Sequence, residues 1–305
     1  MSQEKSALSS HASDYPLVTI GLPMLNPGPL FVWALKSVFA QTYPFWELII
    51  LDDGSTDGSL QLAHKIHDPR VKVFSDGRNR GLPYRLNQIL DLASGHFIAR
   101  MDADDLMHPE RIERQVKHLL AYPEADAVTT GAILIDRENR PMALKPGQKP
   151  SLLEVLQRGG YLHASLMARA DWYRKHRYSE AYPRAEDREF FVRTYASSRI
   201  DVLKEPLYFY RWYGNVRPKA LLQGYASERR IMWRYGPKHV GWGATLILVT
   251  LSSLKSVAVS VGSYLKIPGV LEARGFSALP PDLQGEVRRA LERIQATPVP
   301  GWDRG

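Results

Sequence analysis

Short apolar runs alternate with helical stripes through the first half of the chain, and this alternation predicts the fold. Leu17-Val18-Thr19-Ile20-Gly21-Leu22 has strand composition and is expected to break at Pro23, before a loop through Asn26-Pro27-Gly28-Pro29. Leu30, Ala34 and Val38, with Phe31 and Leu35, then recur at helical spacing. Glu47-Leu48-Ile49-Ile50-Leu51 is too short for a helix and reads as a second strand, closed by Asp52-Asp53-Gly54-Ser55-Thr56-Asp57-Gly58. No hairpin signal lies between these strands, so they are expected to be parallel and joined by a right-handed crossover. The pattern repeats with a helix over 59–66, a strand at Val71-Lys72-Val73-Phe74, a helix through Leu86, Ile89 and Leu90, and a strand at Phe97-Ile98-Ala99-Arg100-Met101. Pro109 opens a further helix bearing Ile112, Val116 and Leu119, and Asp126-Ala127-Val128-Thr129-Thr130 resumes as strand. The fold class is therefore α/β, a mainly parallel sheet flanked by helices. Residues 139–150, rich in Pro, Gly and Lys, read as a mobile loop and mark a soft boundary.

The outer parts of the chain read differently. Residues 1–15 are polar, lack the apolar core of a secretory signal, and are expected to be a disordered tail. Residues 240–265 carry one charge, Lys255, and place Ile247, Leu251, Leu254, Ala258 and Val261 at helical spacing. With Ser252, Lys255 and Ser256 near the other face, the stretch suits a helix lying in the plane of a membrane, or one packed on the catalytic body. Composition adds a direction. The net charge is +8, and eight Lys or Arg stand between residues 204 and 240 against two Glu. A basic block directly before an apolar stretch suits an anionic membrane surface or a phosphate-bearing ligand, and peripheral contact through 204–265 is expected in preference to nucleic acid. With no cysteine, disulfides, thiolate zinc sites and a cysteine nucleophile are excluded.

The candidate chemistry lies where the fourth strand ends. Asp102, Asp104 and Asp105 put three carboxylates within four positions at the carboxyl end of a strand, where ligands of open α/β sheets sit. Mutual repulsion makes such a cluster costly unless a cation compensates it, and oxygen-rich sites suit Mg²⁺ or Mn²⁺. A solvated acidic turn before the next helix is the alternative.

Four stretches in register resemble the inverting family 2 glycosyltransferases of the GT-A fold. They are Val18-Thr19-Ile20-Gly21-Leu22-Pro23-Met24-Leu25-Asn26; Gln41-Thr42-Tyr43-Pro44 leading to Asp52-Asp53-Gly54-Ser55-Thr56-Asp57; Met101-Asp102-Ala103-Asp104-Asp105; and Arg184-Ala185-Glu186-Asp187-Arg188-Glu189. The resemblance covers residues 17–213, with order and spacing matching. It implies a GT-A domain over 16–213, with a nucleotide-binding half at 16–138 and an acceptor half at 150–213, and a basic, helical C-terminal region over 214–305.

The same resemblance implies roles. Asp104 becomes the ligand of Mg²⁺ or Mn²⁺, with Asp102 beside the ribose and the metal-bound waters. Asp53 matches the position that accepts a hydrogen bond from uracil, Pro23 underlies the base and ribose, and Asn26 and Arg80 complete the nucleotide-binding set. Asp187 is the expected general base, Glu186 its acceptor-binding neighbour, and His163 stands where a histidine often precedes them. Each has a plainer alternative: Asp52, Asp53 and Asp57 as caps of the next helix, Glu186 and Asp187 as first-turn acids, His163 as a satisfied core residue on a strand, Arg80 as a surface arginine. Pro83-Tyr84-Arg85-Leu86 departs from the family pattern of small residues before Asn87 and leaves that loop's role open. Tyr208, Tyr210, Trp212 and Tyr213 suit either a sugar-stacking platform or the two faces of one strand.

The function expected is metal-dependent, inverting transfer of a sugar from a nucleoside diphosphate, UDP first, to a glycan or lipid-linked acceptor in cell-surface polysaccharide biosynthesis. The protein is expected to be cytoplasmic, peripheral on the inner face of the membrane. Rival readings are a sugar nucleotidyltransferase, for which 21–26 lacks a Gly-rich phosphate loop, and a catalytically silent nucleotide- or glycan-binding module.

Overall fold

The computed structural model describes residues 15–182, 184–212, 218–264 and 277–302. The expected N-terminal tail up to residue 14, and Tyr213, lie outside them. Seven strands form the main sheet: β1 (Val18–Met24), β2 (Trp46–Asp52), β3 (Val71–Ser75), β4 (Phe97–Arg100), β6 (Ala127–Thr130), β9 (Met167–Arg169) and β10 (Ile200–Leu203). Their order is β10-β6-β9-β4-β1-β2-β3. All pairings are parallel except those of β9, which runs antiparallel to β4 and β6. β1, β2 and β4 are buried throughout, as a sheet covered on both faces requires. Helix α1 (Leu30–Phe39) follows β1, α2 (Ser59–His64) follows β2, α3 (Leu82–Leu92) follows β3, and α4 (Arg111–Ala121) precedes β6.

Glycine at position 21 sets how closely α3 approaches β1. A Cβ there would lie 2.5 Å from Ile89 Cγ2, so a side chain would push the helix off the sheet.

Three local expectations are corrected. β1 does not break at Pro23 but runs on to Met24, paired to β2 as far as Asp52. Proline is tolerated there because the ladder to β4 already ends at Gly21↔Arg100, leaving no partner on that side for a backbone N–H. Second, 139–150 is not a plain loop: β8 (Pro141–Lys145) pairs antiparallel with β7 (Ala132–Ile135). A small second sheet results, in the order β5-β11-β7-β8, with β5 at Leu106–Met107 and β11 at Tyr208–Arg211. Third, His163 lies in a short 3₁₀ turn, His163–Ser165, and not on a strand.

The segment after β8 carries helices α5 (Leu152–Arg158), α6 (Ala170–Lys175) and α7 (Glu186–Thr194). Its strands β9 and β10 complete the main sheet, so both halves of the domain share one sheet. The C-terminal region supplies α8 (Pro218–Tyr264) and α9 (Pro281–Ala296). α9 belongs to the core: Val287, Ala290 and Ile294 pack with Ile133 and Phe209 of the second sheet, and Lys36 Nζ donates to the Gln295 carbonyl at 2.7 Å.

Candidate active site

Because β2, β1 and β4 are adjacent and parallel, their carboxyl ends bring Asp53, Pro23 and Asp102 to one edge of the sheet. The loops there are fastened to each other. Asn26 Oδ1 accepts from Thr56 N–H at 2.7 Å, and Asp57 Oδ2 accepts from Gly28 N–H at 2.7 Å. Asn26 therefore builds the loop, holding a left-handed backbone at φ 50°. Asp52 is likewise local, accepting from Gly54 N–H, Ser55 N–H and Ser75 Oγ.

Asp53 is buried and held from the following loop. Its Oδ1 accepts from Arg80 N–H at 2.7 Å and its Oδ2 from Gly81 N–H at 3.0 Å. Arg85 Nε donates to Oδ1 at 2.8 Å. Arg85, only 1% exposed, forks onward to Asp76 and Gln88. Burial opposes its charge, but Asp76 and Asp53 outweigh burial and hold its pKa above the ordinary value. The unusual Pro83-Tyr84-Arg85-Leu86 run thus places a cation directly behind the Asp53 carboxylate. The Arg80 guanidinium pairs with Asp76 and stacks on Tyr84, 4.9 Å from its centroid, while its backbone serves Asp53.

The acidic turn is organised by arginines. Arg100 donates to both oxygens of Asp102, Nη2 to Oδ1 at 2.7 Å and Nη1 to Oδ2 at 3.1 Å. Burial disfavours the guanidinium charge, yet Asp102, Tyr178, Tyr208 and Glu186 together raise its pKa, so Arg100 stays protonated. Arg211 Nε donates to the Asp104 carbonyl at 2.6 Å, and its backbone N–H to Asp105 Oδ1 at 2.7 Å. Asp105 is buried; burial first, then Asp104 and Asp102, push its carboxyl well above the usual range. Tyr208 is buried and its hydroxyl accepts from Asp102 N–H at 3.2 Å, while Tyr210 is half-buried, so this strand alternates faces beside the acids and does not expose a row of rings.

Among the described residues no three acid or histidine side chains converge into a metal cage. Asp102 is committed to Arg100, and Asp104 is half-buried at the same turn. Mg²⁺ keeps several waters and binds through one or two carboxylates plus substrate phosphates, so this donor set fits an ion that arrives with a diphosphate and not a resident caged one.

Across from this turn, α7 begins with Glu186 and Asp187. Ala185 before them holds a left-handed backbone, φ 62°, a strained conformation for a residue with a Cβ. Burial, then the neighbouring Asp187, push Glu186 up to about 7 even though Arg100 draws it down. Asp187 Oδ1 accepts from Arg188 N–H at 2.8 Å. Arg100 is thus paired with Asp102 and near enough to Glu186 to favour its charged form. His163 is buried, its Nε2 2.8 Å from Tyr178 Oη. Burial and then Arg100 push its pKa well below the ordinary value, so it is neutral at pH 7 and has the surroundings of a satisfied core histidine.

Sequence reasoning missed Arg85, Arg100 and Arg211. The available signal was an arginine inside the otherwise apolar run at 97–101; Arg85 stood only in a run that departs from the family pattern, and Arg211 only in the basic block.

Comparison with known proteins agrees with the geometry. The profile of "Glycosyl transferase family 2" matches residues 19–203. The chain is 32% identical over 207 residues to the putative glycosyltransferase EpsE of Bacillus subtilis, covering 63% of this chain and 72% of that protein. It is 35% identical over 107 residues to the Escherichia coli UDP-Glc:alpha-D-GlcNAc-diphosphoundecaprenol beta-1,3-glucosyltransferase WfgD, covering 34% of this chain and 43% of that one. Staphylococcus aureus TarS (residues 1–349), crystallised in complex with UDP, superposes with a TM-score of 0.59 at 18% identity over 91% of this chain and 79% of that chain.

Proposed function

The chain belongs to glycosyl transferase family 2, and from that premise we propose that it transfers a sugar from a UDP-sugar, with inversion and with a divalent ion, to a glycan or lipid-linked acceptor in polysaccharide biosynthesis. The observation that carries this reading is Arg100, which is paired with Asp102 of one acidic element and near enough to Glu186 of the other to draw its pKa down. Such a pairing suits a reaction in which negative charge leaves on one side while a proton must be removed on the other.

In this reading Pro23, Asp53 and the loop through Arg80 receive the nucleotide, and the Arg85 pair fixes the Asp53 carboxylate in one orientation. Asp104, with Asp102 beside it, would hold Mg²⁺ or Mn²⁺, which when bound stabilises the charge developing on the departing diphosphate. Asp187 takes the proton of the acceptor hydroxyl; Glu186 binds the acceptor, being partly protonated near neutral pH and able to donate as well as accept. The UDP bound by TarS and the diphosphoundecaprenol-linked substrate in the name of WfgD support the donor and acceptor classes. A lipid-linked acceptor would place the enzyme at the cytoplasmic face of a membrane, with contact through 204–265.

Asp104→Asn tests this directly. Mn²⁺-dependent UDP binding, followed by calorimetry, is expected to fall at least tenfold while the thermal unfolding midpoint stays near the parent value. An unchanged titration would remove Asp104 from the metal site.

A further inference from the structure

Helix α8, Pro218–Tyr264, is two helical arms folded into a hairpin. Gly241 adopts φ 79°, ψ 164°, a non-helical conformation open chiefly to glycine, and the chain doubles back there. Arg229 Nη1 donates to Ser256 Oγ at 2.7 Å although the residues are 27 apart; in a straight helix about 40 Å would separate them. Gly236 lets the arms touch, since a Cβ there would lie 2.5 Å from Thr245 Oγ1.

The first arm, 218–240, is tied to the catalytic body. Glu228 pairs with Arg188, the residue after Asp187, at 3.2 Å, and Tyr235 Oη donates to Glu189 Oε1 at 2.6 Å. Ile231 and Met232 are buried.

The second arm, 242–264, is inside out. Thr245, Leu248 and Ser252 are buried in the molecule, with Arg229 reaching across to Ser256. Exposed to the outside are Trp242 at 66%, Ile247 at 62%, Leu251 at 49%, Leu254 at 60%, Val257 at 60% and Val261 at 50%. A helix of a water-soluble domain buries its apolar stripe; this one presents it.

Charge identifies what covers it. Glu228 is the only acid within Pro218–Tyr264, and it is buried in its pair with Arg188. Lys219, Arg230, Arg234, Lys238 and Lys255 are exposed. A second copy docking on the apolar stripe would bring together two hairpins whose exposed charges are all basic, whereas anionic lipid suits both the charge of the hairpin and the stripe. Trp233 and Trp242, exposed on either side of the bend, are residues that favour the headgroup level. The ties of the first arm to α7 keep both arms beside the soluble domain, and Lys255 on the outer half can reach headgroups along its stem. In-plane seating follows, not a span.

We propose that the arm 242–264 lies in the plane of an anionic bilayer with its apolar face among the acyl chains, and that the first arm thereby fixes Glu186 and Asp187 at the membrane surface. Only the idea that a lipid-linked acceptor is met there rests on the functional reading above; the membrane contact stands apart from it.

The chain has no cysteine, so single-cysteine variants can be labelled cleanly. Ile247→Cys, Leu254→Cys and Val261→Cys, with Arg288→Cys on α9 as control, would carry an environment-sensitive fluorophore. The probe is vesicles of phosphatidylcholine with and without phosphatidylglycerol, free of nucleotide and acceptor. Blue-shifted emission and equal quenching by lipid-borne quenchers at all three arm sites, on the anionic vesicles only and not at Arg288→Cys, is the expected result. Ile247→Asn with Leu254→Asn, both on the exposed face, should leave the protein in the supernatant while UDP affinity is unchanged. Three results would overturn the proposal: no shift on anionic vesicles, a shift without vesicles that grows with protein concentration and so reports a second copy, or much deeper quenching at Leu254→Cys than at its neighbours, which reports a span. Absence of sugar transfer by the parent chain would count against the functional reading alone.

Discussion

Arg100 and Asp102, separated by one residue, form a bidentate ion pair in which both guanidinium Nη atoms meet both carboxylate oxygens, at 2.7 and 3.1 Å. The pair fixes the Asp102 carboxylate in one orientation. It compensates Asp102 from within the protein, so the acidic turn carries its own counter-charge before any ligand arrives.

Removing the arginine should expose that dependence. Arg100→Met is expected to lower stability by about 3 kcal/mol, because a largely buried carboxylate loses its partner beside two other acids. Adding Asp102→Asn in the same chain should restore part of the loss. Urea unfolding midpoints of the single and double variants check it; independent, additive effects would mean that the pair is incidental.

Arg85 makes a similar demand on the nucleotide side. Lysine keeps the charge but cannot fork to Asp53, Asp76 and Gln88 together. Arg85→Lys should therefore cost about 2 kcal/mol of stability through lost buried hydrogen bonds, and weaken UDP binding by freeing the Asp53 carboxylate to turn. Calorimetry at fixed Mn²⁺ measures the second effect. Parent-like affinity would detach Arg85 from nucleotide recognition.

Glu186 gives a pH signature with a definite sign. Its carboxyl is raised to about 7 in the folded protein, above the ordinary glutamate value, so the unfolded chain loses this proton first as pH rises. The contribution to stability is full below the unfolded pKa and is lost progressively up to about pH 7. Glu186→Gln should flatten the fall in urea midpoint between those limits. A profile of unchanged slope would show that another group titrates there.

Much of this was legible before the structure. The period of apolar residues marked β1 to β4 and their helices, and the acids at 102, 104 and 105 were identifiable because a buried strand ended in charge. What stayed hidden depended on partners distant in sequence. Arg85 was legible only as a departure from the family pattern and Arg211 only as part of a basic block, yet Asp53 and the Asp104 carbonyl, 32 and 107 residues away, draw them inside. Pro23 signalled a strand end, and only the departure of β4 explains why the strand continues. The stretch 240–265 reads as a helix suited to a membrane plane or to packing on the catalytic body, but its fold-back needs Gly241 in a conformation that composition does not announce. Strand β8 escaped notice because Pro141 and Lys145 are poor strand residues that pairing with β7 overrides.

The central claim is that Asp187 removes the acceptor proton while the Asp53 and Asp104 side holds the donor. Asp187→Asn keeps the shape and cannot take the proton, so transfer should fall by about two to four powers of ten. UDP-sugar affinity with Mn²⁺, measured separately by calorimetry, should stay near the parent value. Transfer at close to the parent rate, or joint loss of donor binding and transfer, would contradict the account.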